Sequence, residues 1–344
     1  MNGRITIRVF YAGWDAKTLI YLLNDSRIQV IGVGRIETLT EYSCWPPDVL
    51  LAIGYRLYAL NPRLRITALV PLLQRLCSER WRRHIEYFDG VLRNRIPIVG
   101  MESAQATTNW LKDNNADILL INAGELIPEQ IYKAPKFGSI NIHPSQLPRH
   151  RGALPTLWTL KNADATSAVT YHLLDRNADT GDILKQIQFD VSADDTWQNL
   201  EEKIDNIVRK TLVETIVEWV DGRTVPRKQD PAHATKTAKF DNYREIDLDE
   251  ESAKEIAAKI QYYAHWSPST PCYFRFGRLA ASVFDAQIPD SLGDSAVSTP
   301  GKISRCGRRL LLQTKVGKLS VNPLAGMSAV AGGCLILKYL ASDP

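Results

Sequence analysis

Two stretches of the sequence carry the side chains best suited to chemistry. Asn141 and His143 stand two residues apart, directly before Pro144, and Asp179 follows in a loop rich in Asp, Asn and Gly. An amide, an imidazole and a carboxylate suit acyl transfer to an amine, because the amide N–H can donate to the oxygen that becomes negative in the tetrahedral intermediate. The imidazole can stabilise that oxygen or take the amine proton, while the carboxylate orients the imidazole. Since the amine attacks directly, alignment of two bound substrates replaces a protein nucleophile.

The elements around these residues must bring them together. Ser139–His143 predicts a strand, on which residues two apart project from the same face, and Pro144 ends its hydrogen-bond ladder. The loop 175–182 precedes a second β-like run, Ile183–Phe189, so it can carry Asp179 to the same crevice. Taken singly, each residue also has a structural interpretation. His143 could be a structural histidine at the end of a strand, Asn141 could hydrogen-bond to a loop backbone, and Asp179 could belong to an Asx turn.

The first half of the chain alternates β-rich and helical patterns. This alternation predicts an α/β fold, a Rossmann-like, mostly parallel sheet with helices on both faces, and such sheets bind ligands at the carboxyl ends of their strands. Apolar residues at helical spacing from Trp197 to Ile216 predict a long closing helix, N-capped by Asp195 or Thr196. The strands are predicted at Ile5–Tyr11, Ile28–Gly34, Asp117–Asn122 and Ser139–His143, with helices at Lys17–Asn24 and Ser103–Asn114.

The polar, proline-containing stretch 223–239 is the best candidate for a linker. We therefore predict a catalytic domain at 1–222, with an atypical insertion at 35–94, and a C-terminal domain at 240–344. A short helix is expected at Glu251–Ala264. Short strand-like runs separated by Gly and Pro then predict a small OB-like β-barrel. These runs are Cys272–Phe276, Ala280–Ala286, Gly301–Ser304, Leu310–Thr314 and Lys318–Val321.

Composition sets the broad class of the protein. The 344 residues include 44% hydrophobic and 23% charged residues with a net charge of +4, which is ordinary for a soluble globular chain. The five cysteines are an odd, scattered number without a CxxC pair, so we expect free thiols and no metal site. No run is long and apolar enough to span a membrane, and no secretory signal is visible, so a cytoplasmic location is expected.

The whole string of motifs is more specific than any one residue. Asn-Ile-His-Pro-Ser-x-Leu-Pro-x-x-x-Gly from Asn141, followed by Asp-Thr-Gly-Asp-Ile from Asp179, resembles the signature of the folate-dependent formyltransferases. The resemblance implies that Asn141, His143 and Asp179 are catalytic and that 10-formyltetrahydrofolate is the cosubstrate. Residues 240–325 also resemble the OB-like domain of the family's two-domain branch.

The resemblance further implies a folate site. Asp117–Pro128 resembles the strand and loop that hold the pterin by backbone atoms in the family, and an apolar, backbone-lined slot suits a flat heterocycle. The folate-binding roles fall on Glu125, Leu126, Ile127, Asn177 and Ala178.

The acceptor is less defined. Because residues 35–94 lack the Lys- and Arg-rich insertion of tRNA formyltransferases, the first hypothesis is a small-molecule amine, such as an amino sugar, a nucleotide-linked sugar or a peptide precursor. Residues 271–344 carry nine Lys or Arg against four Asp or Glu, so methionyl-tRNA is the alternative. Formyl-folate hydrolysis and non-catalytic folate binding stay open, as do a monomer and a homodimer.

Four further residues lie within the first motif or between the two motifs. Arg149, His150 and Arg151 could bind an acidic group of the acceptor, with a plain surface loop as the alternative. His172, in the predicted strand Val169–Leu174, is expected to be structural.

Overall fold

A computed structural model describes two compact units of the chain. The first unit comprises Met1–Pro155, Ala165–Val191 and Glu201–Thr237, and the second comprises Thr156–Asp164, Ser192–Leu200 and Ala238–Pro344. Most of the predicted insertion at 35–94 lies outside the described residues, and the predicted domain boundaries stay predictions. The described residues are 6–13, 15–35, 87, 89–122, 126–192, 194–237, 245–266, 272–276, 279–283, 286–288, 300–306 and 309–321.

The secondary structure follows the predicted alternation of strands and helices. The strands of the first unit are β1 (Ile7–Gly13), β2 (Ile28–Arg35), β3 (Ile98–Gly100), β4 (Ile118–Asn122), β5 (Ser139–His143), β6 (Thr166–Leu173) and β7 (Ile183–Asp190). The helices named over the described residues are α1 (Ala16–Leu23), α2 (Ala104–Asp113), α3 (Glu129–Tyr132), α4 (Pro155–Lys161), α5 (Trp197–Val220) and α6 (Ala253–Trp266), with a 3₁₀ turn at Pro231–His233. Residues 89–93 are also helical.

The seven strands form one sheet in the order β3-β2-β1-β4-β5-β6-β7. The first five strands in this order are parallel, whereas β5–β6 and β6–β7 are antiparallel. From β1, strands β2 and β3 follow toward one edge of the sheet, whereas β4 and the later strands follow toward the other edge. The gap between β1 and β4 is therefore the topological switch point of a Rossmann-like fold. The prediction of a mostly parallel, Rossmann-like sheet is therefore confirmed.

The core lies on both faces of this sheet. Alternation along β1 sends Val9 and Tyr11 into one apolar cluster and Phe10 and Ala12 into another, so the strand is buried on both sides. Burying a large apolar side chain contributes roughly 1.5–3 kcal/mol, which makes these contacts the main stabilisation of the helix–sheet layers. Helices α1 and α5 supply Leu19, Leu22, Leu212 and Ile216 to the first cluster, and α2 and α3 supply Leu111 and Ile131 to the second.

Helix α5 begins at a reciprocal cap. Thr196 Oγ1 accepts from the backbone N–H of Asn199 at 3.2 Å, and Asn199 Oδ1 accepts from the Thr196 N–H at 2.9 Å. This is a capping box in which Asn replaces the usual Glu or Gln. Of the two predicted caps, Thr196 is the one that takes this position, while Asp195 accepts from the N–H of Ser192.

The second unit contains two antiparallel sheets. Strands β8 (Cys272–Phe276) and β9 (Leu279–Val283) pair with each other, and β10 (Ala286–Gln287), β13 (Lys318–Val321), β12 (Arg309–Gln313) and β11 (Ile303–Cys306) form a four-stranded sheet in that order. The described strands do not join into one closed sheet, so the OB-like barrel stays a prediction. None of the described helices is both long and apolar enough to cross a membrane.

A buried ion pair anchors α6. Lys259 is 2% exposed, and its Nζ donates to both carboxylate oxygens of Glu251 and to the backbone carbonyl of Glu245 at 2.8 Å. Glu251 also accepts from the backbone N–H of Asp247 at 3.0 Å. A buried ammonium is tolerated only when it is paired and hydrogen-bonded in this way.

We expect Glu251→Gln to lower the free energy of unfolding by about 3–5 kcal/mol, because it leaves the Lys259 ammonium buried without a counter-charge. The adjacent Glu250→Gln is a matched control, since the Glu250–Lys315 pair is solvent-exposed and contributes at most about 1 kcal/mol. Urea unfolding of both variants measures the difference. Equal effects of the two substitutions would contradict the structural importance of the buried pair.

Candidate active site

Three polar side chains share one face of the sheet. Asn141 and His143 lie two apart on β5, and His172 on β6 stands directly opposite Asn141 in the antiparallel register. Cross-strand partners project from the same face, so all three meet there. Their exposures are 9%, 4% and 2%, so the cluster is shielded from solvent.

The loop between β6 and β7 brings Asp179 to these residues. Asp175 folds the loop by accepting from the backbone N–H of Asn177 at 3.0 Å and from the Thr180 hydroxyl at 2.6 Å. Asp179 itself has a backbone φ of +54°, in the left-handed region that non-glycine residues seldom occupy. A turn of this shape aims the carboxylate inward instead of continuing the strand.

Asp179 is the common partner of the cluster. Its Oδ1 lies 3.2 Å from Asn141 Nδ2, 3.6 Å from His143 Nδ1 and 3.4 Å from His172 Nε2, and its Oδ2 accepts from the backbone N–H of Gly152 at 2.8 Å. Burial by itself raises the pKa of Asp179. The histidines and the Gly152 N–H outweigh burial and hold that pKa well below its usual range, so the carboxylate stays charged.

The protonation of His143 is set by its neighbours. Its Nε2 lies 2.9 Å from the backbone carbonyl of His150, and a carbonyl can only accept, so Nε2 carries the hydrogen. The neutral ring then presents the Nδ1 lone pair toward Asp179. Burial lowers the pKa of His143, with the charge of Asp179 opposing the effect, so the neutral form dominates near pH 7. His143 can therefore act as a base at Nδ1.

The amide of Asn141 is oriented by the same partners. Its Nδ2 faces His172 Nε2 and Asp179 Oδ1, both at 3.2 Å. Among the described residues, the buried Oδ1 of Asn141 has no hydrogen-bond partner. Both amide hydrogens are thus directed at protein groups, and the predicted donation to a developing oxyanion stays a prediction.

His172 was expected to be structural, yet the structure places it beside Asp179. Its Nδ1 donates to the carbonyl of Leu173 at 2.9 Å, which leaves Nε2 directed at Asn141 and Asp179. The sequence offered one usable signal: if β6 pairs antiparallel with β5, a histidine in register with Asn141 must share its face. The predicted parallel alternation did not provide that register.

The predicted folate residues have different surroundings. Glu125 lies outside the described residues, Leu126 is 73% exposed, and Ile127 packs on the apolar cluster on the sheet face that carries Asn141. Leu174, at the start of the Asp179 loop, packs on the same cluster. Both predicted folate loops are therefore anchored on one face of the sheet. In the Asp179 loop, the predicted Asn177 and Ala178 are exposed.

The predicted acceptor-binding residues are not a plain surface loop. His150 is 5% exposed, and Arg149 and Arg151 are half-buried. The guanidinium of Arg151 donates twice to Gln229 Oε1, from Nε at 3.0 Å and from Nη2 at 2.8 Å. Within the described part of the chain, no cluster of three His, Cys, Asp or Glu side chains is arranged to hold a metal ion.

Comparison with known sequences gives a family match that includes the residues of the candidate site, together with named relatives. The formyl transferase family model matches residues 99–216. The methionyl-tRNA formyltransferase of Rickettsia bellii is 32% identical over 219 residues, covering 62% of this chain and 69% of that protein. The corresponding protein of Caldanaerobacter subterraneus is 36% identical over 148 residues, covering 42% of this chain and 48% of that protein.

Solved structures share the fold at low identity. The sugar 3N-formyltransferase WlaRD, solved with dTDP and 5-N-formyl-THF, superposes with a TM-score of 0.54 at 14% identity, covering 94% of this chain and 99% of that one. An N-formyltransferase from Helicobacter canadensis, solved with folinic acid and dTDP-3-aminofucose, gives a TM-score of 0.55 at 14% identity, covering 92% and 99%.

Gly181 tests how tightly the Asp179 loop is held. A Cβ at this position would lie 1.8 Å from the carbonyl oxygen of Leu173, so Gly181→Ala must displace the loop. We expect a loss of about 1–3 kcal/mol in the free energy of unfolding. We also expect the pKa of His143, followed by histidine NMR, to fall as the Asp179 charge moves away.

The matched control is Gly90→Ala in the helical segment 89–93. Its Cβ would meet Leu23 and Leu19 at ordinary distances of 3.7 and 3.8 Å, so stability should be unchanged or slightly higher. If Gly181→Ala behaves like this control in both measurements, the loop is not constrained as described.

Proposed function

This chain belongs to the folate-dependent formyltransferase superfamily, and on that premise we propose that it transfers the formyl group of 10-formyltetrahydrofolate to an amine through Asn141, His143 and Asp179. The observation that carries the proposal is the meeting of an amide, an imidazole and a charged carboxylate, from positions up to 38 residues apart, within hydrogen-bonding or ion-pair distance. This set of groups suits acyl transfer without a protein nucleophile.

The reaction requires one proton to change places. The folate supplies a formyl group on nitrogen, the amine nitrogen bonds to the formyl carbon, and the bond from that carbon to the folate nitrogen breaks. The amine loses a proton and the folate nitrogen gains one. His143 Nδ1 is the group we assign to hold this proton, because its other ring nitrogen is committed to His150. Asp179 then stabilises the imidazolium that forms.

Asn141 and His172 support the same charge distribution. Asn141 Nδ2 now lies 3.2 Å from both His172 Nε2 and Asp179 Oδ1. In the reaction it would give up one of these contacts and donate that N–H to the negative oxygen of the intermediate. The Nε2 of His172 lies 3.4 Å from Asp179 Oδ1, and a protonated His172 favours the ionised form of that carboxylate. A charged Asp179 is needed because only the anion stabilises the imidazolium.

We assign folate binding to the two loops that start from one apolar cluster. Leu126 presents an exposed apolar side chain, and Ile127 and Leu174 pack on the cluster below it. An apolar surface with accessible backbone suits a flat pterin. The full set that we propose is Glu125, Leu126, Ile127, Asn177 and Ala178.

For the acceptor we propose a small-molecule amine, such as an amino sugar or nucleotide-linked sugar. The structural neighbours solved with dTDP or a dTDP-amino sugar support this class. We place its acidic groups near Arg149, His150 and Arg151. Methionyl-tRNA is the second candidate, and the sequence relatives named methionyl-tRNA formyltransferase favour it.

The proposal predicts release of tetrahydrofolate from 10-formyltetrahydrofolate when the correct amine is present. A panel of amino sugars, dTDP-amino sugars and initiator methionyl-tRNA, followed by absorbance and mass spectrometry, identifies the acceptor. His143→Ala should lower the rate by about 10²–10⁴-fold. Lys228→Met, an exposed neutralising substitution, is the control expected to keep full activity.

The panel also separates the alternatives. Formylated methionyl-tRNA with no formylated small molecule would replace the first acceptor by the second. Folate turnover without any amine would indicate a hydrolase. Folate binding with no turnover in any reaction would contradict formyl transfer and leave a non-catalytic binder.

The pH dependence provides a separate prediction. Burial lowers the pKa of His143, so the neutral base should persist, and kcat/KM should hold, below the pH at which an ordinary histidine becomes protonated. Asp179 opposes that shift. In Asp179→Asn the overall rate should therefore fall, while the remaining acid limb of the kcat/KM profile moves to still lower pH. An acid limb that moves to higher pH would argue against His143 as the base.

A further inference from the structure

The segment after α5 is bound to the active-site loops along its length. We name residues 227–237 the strap. At one end, Arg227 exchanges two backbone hydrogen bonds with Ile183, at 2.8 and 2.9 Å, next to the Asp179 loop. At the other end, the carbonyl of Thr235 accepts from the backbone N–H of Arg151 at 2.9 Å, and the N–H of Thr237 donates to the carbonyl of Arg151 at 2.8 Å. The strap therefore connects the loop that carries Asp179 with the loop after β5, whose Gly152 N–H bonds to Asp179.

Gln229, near the start of the strap, contacts the Asp179 loop through its side chain. Its Nε2 donates to the backbone carbonyl of Asp179 at 2.9 Å and to that of Gly181 at 2.8 Å. Its Oε1 accepts two hydrogen bonds from the Arg151 guanidinium. Because a guanidinium can only donate, these bonds fix which end of the amide faces the loop. All polar atoms of the Gln229 side chain thus have defined partners.

This contact falls at a residue whose backbone is left-handed. The left-handed conformation of Asp179 costs a non-glycine residue roughly 1–2 kcal/mol and requires support from its surroundings. A carbonyl clamped at Asp179 fixes the adjacent peptide plane. The direction of the Cα–Cβ bond, and hence the distance from the carboxylate to His143, depends on that plane.

We propose that Gln229 is a positioning residue that holds Asp179 in register with His143, and that Arg151 orients Gln229 by donating to it from Nε and Nη2. The catalytic part of this inference rests on the proposed formyl transfer. The positional part does not, because the contacts among Gln229, Arg151 and Asp179 exist independently of any substrate. Gln229 acts through Asp179, since its side-chain amide bonds to the carbonyls of Asp179 and Gly181 and to Arg151.

Two substitutions separate the functions of the amide. Gln229→Met removes the donor and the acceptor without adding charge. Gln229→Glu keeps an acceptor for Arg151 but has no hydrogen to donate to the carbonyls of Asp179 and Gly181. Lys228→Met, at the neighbouring exposed position of the strap, is the control.

The first measurement is independent of activity. Asp179, His172 and His150 are the titratable groups that act on His143. If Gln229→Met lets the Asp179 carboxylate move away, the pKa of His143 followed by histidine NMR should fall relative to the wild type and to Lys228→Met. An unchanged His143 titration in folded Gln229→Met would overturn the proposal.

The second measurement is the kinetics of formyl transfer. We expect both Gln229 variants to lose about 10- to 100-fold in kcat, the effect of a small misplacement of a catalytic group, with KM for folate and acceptor little changed. Wild-type kcat in Gln229→Glu would contradict the proposal by showing that donation to Asp179 is dispensable. Gln229→Glu also provides the kinetic test if Gln229→Met does not fold.

The two hypotheses fail in different ways. If the wild type transfers no formyl group but the His143 pKa falls in Gln229→Met, the proposed function is wrong and the positioning role is supported. If the wild type is active and neither readout responds to Gln229→Met, formyl transfer stands and the positioning role is wrong.

Discussion

The architecture of the site depends on keeping one largely buried carboxylate, that of Asp179, charged. Transferring a carboxylate out of water is costly unless hydrogen bonds and opposite charges compensate it. Asn141 Nδ2 and the backbone N–H of Gly152 donate to Asp179, and His143 and His172, at 3.6 and 3.4 Å from its Oδ1, compensate its charge when they are protonated. These partners come from three stretches of chain: Asn141 and His143 on β5, His172 on β6, and Gly152 in the loop after β5. The sheet and the loops must both be in place before the charge is tolerated.

This constraint explains why loops of unusual backbone shape surround an otherwise regular sheet. Asp179 occupies the left-handed region, His150 does so as well with φ +57°, and Gly152 has φ +105°. Side chains on a regular strand alternate between the two faces of the sheet. These turns instead direct the Asp179 carboxylate and the His150 carbonyl to His143, and the Gly152 N–H to Asp179. The conformational cost is offset by hydrogen bonds to the strap and by the closed turn at Asp175.

Much of the fold could be predicted because its pattern is local. Apolar alternation placed β5 at Ser139–His143, and the 3.6-residue period placed α5 from Trp197, in agreement with the structure. The motif that includes Asn141 and His143 placed that pair on one strand face. The position of His172 was not predicted, because it depends on β6 running antiparallel to β5, and pairing direction is not a property of either strand alone. Gln229 was not predicted either, since a polar, proline-containing stretch is typical of a linker.

The sequence by itself determined the chemistry available to this protein: which side chains it carries, their spacing along two motifs, and the superfamily to which the chain belongs. The tertiary structure decided how those groups are used. It selected the ring nitrogen of His143 that is left to act, directed the Asn141 amide toward Asp179, and joined Arg151 to Gln229. The physical reason is that protonation and orientation depend on distances between residues far apart in the chain, which only packing fixes.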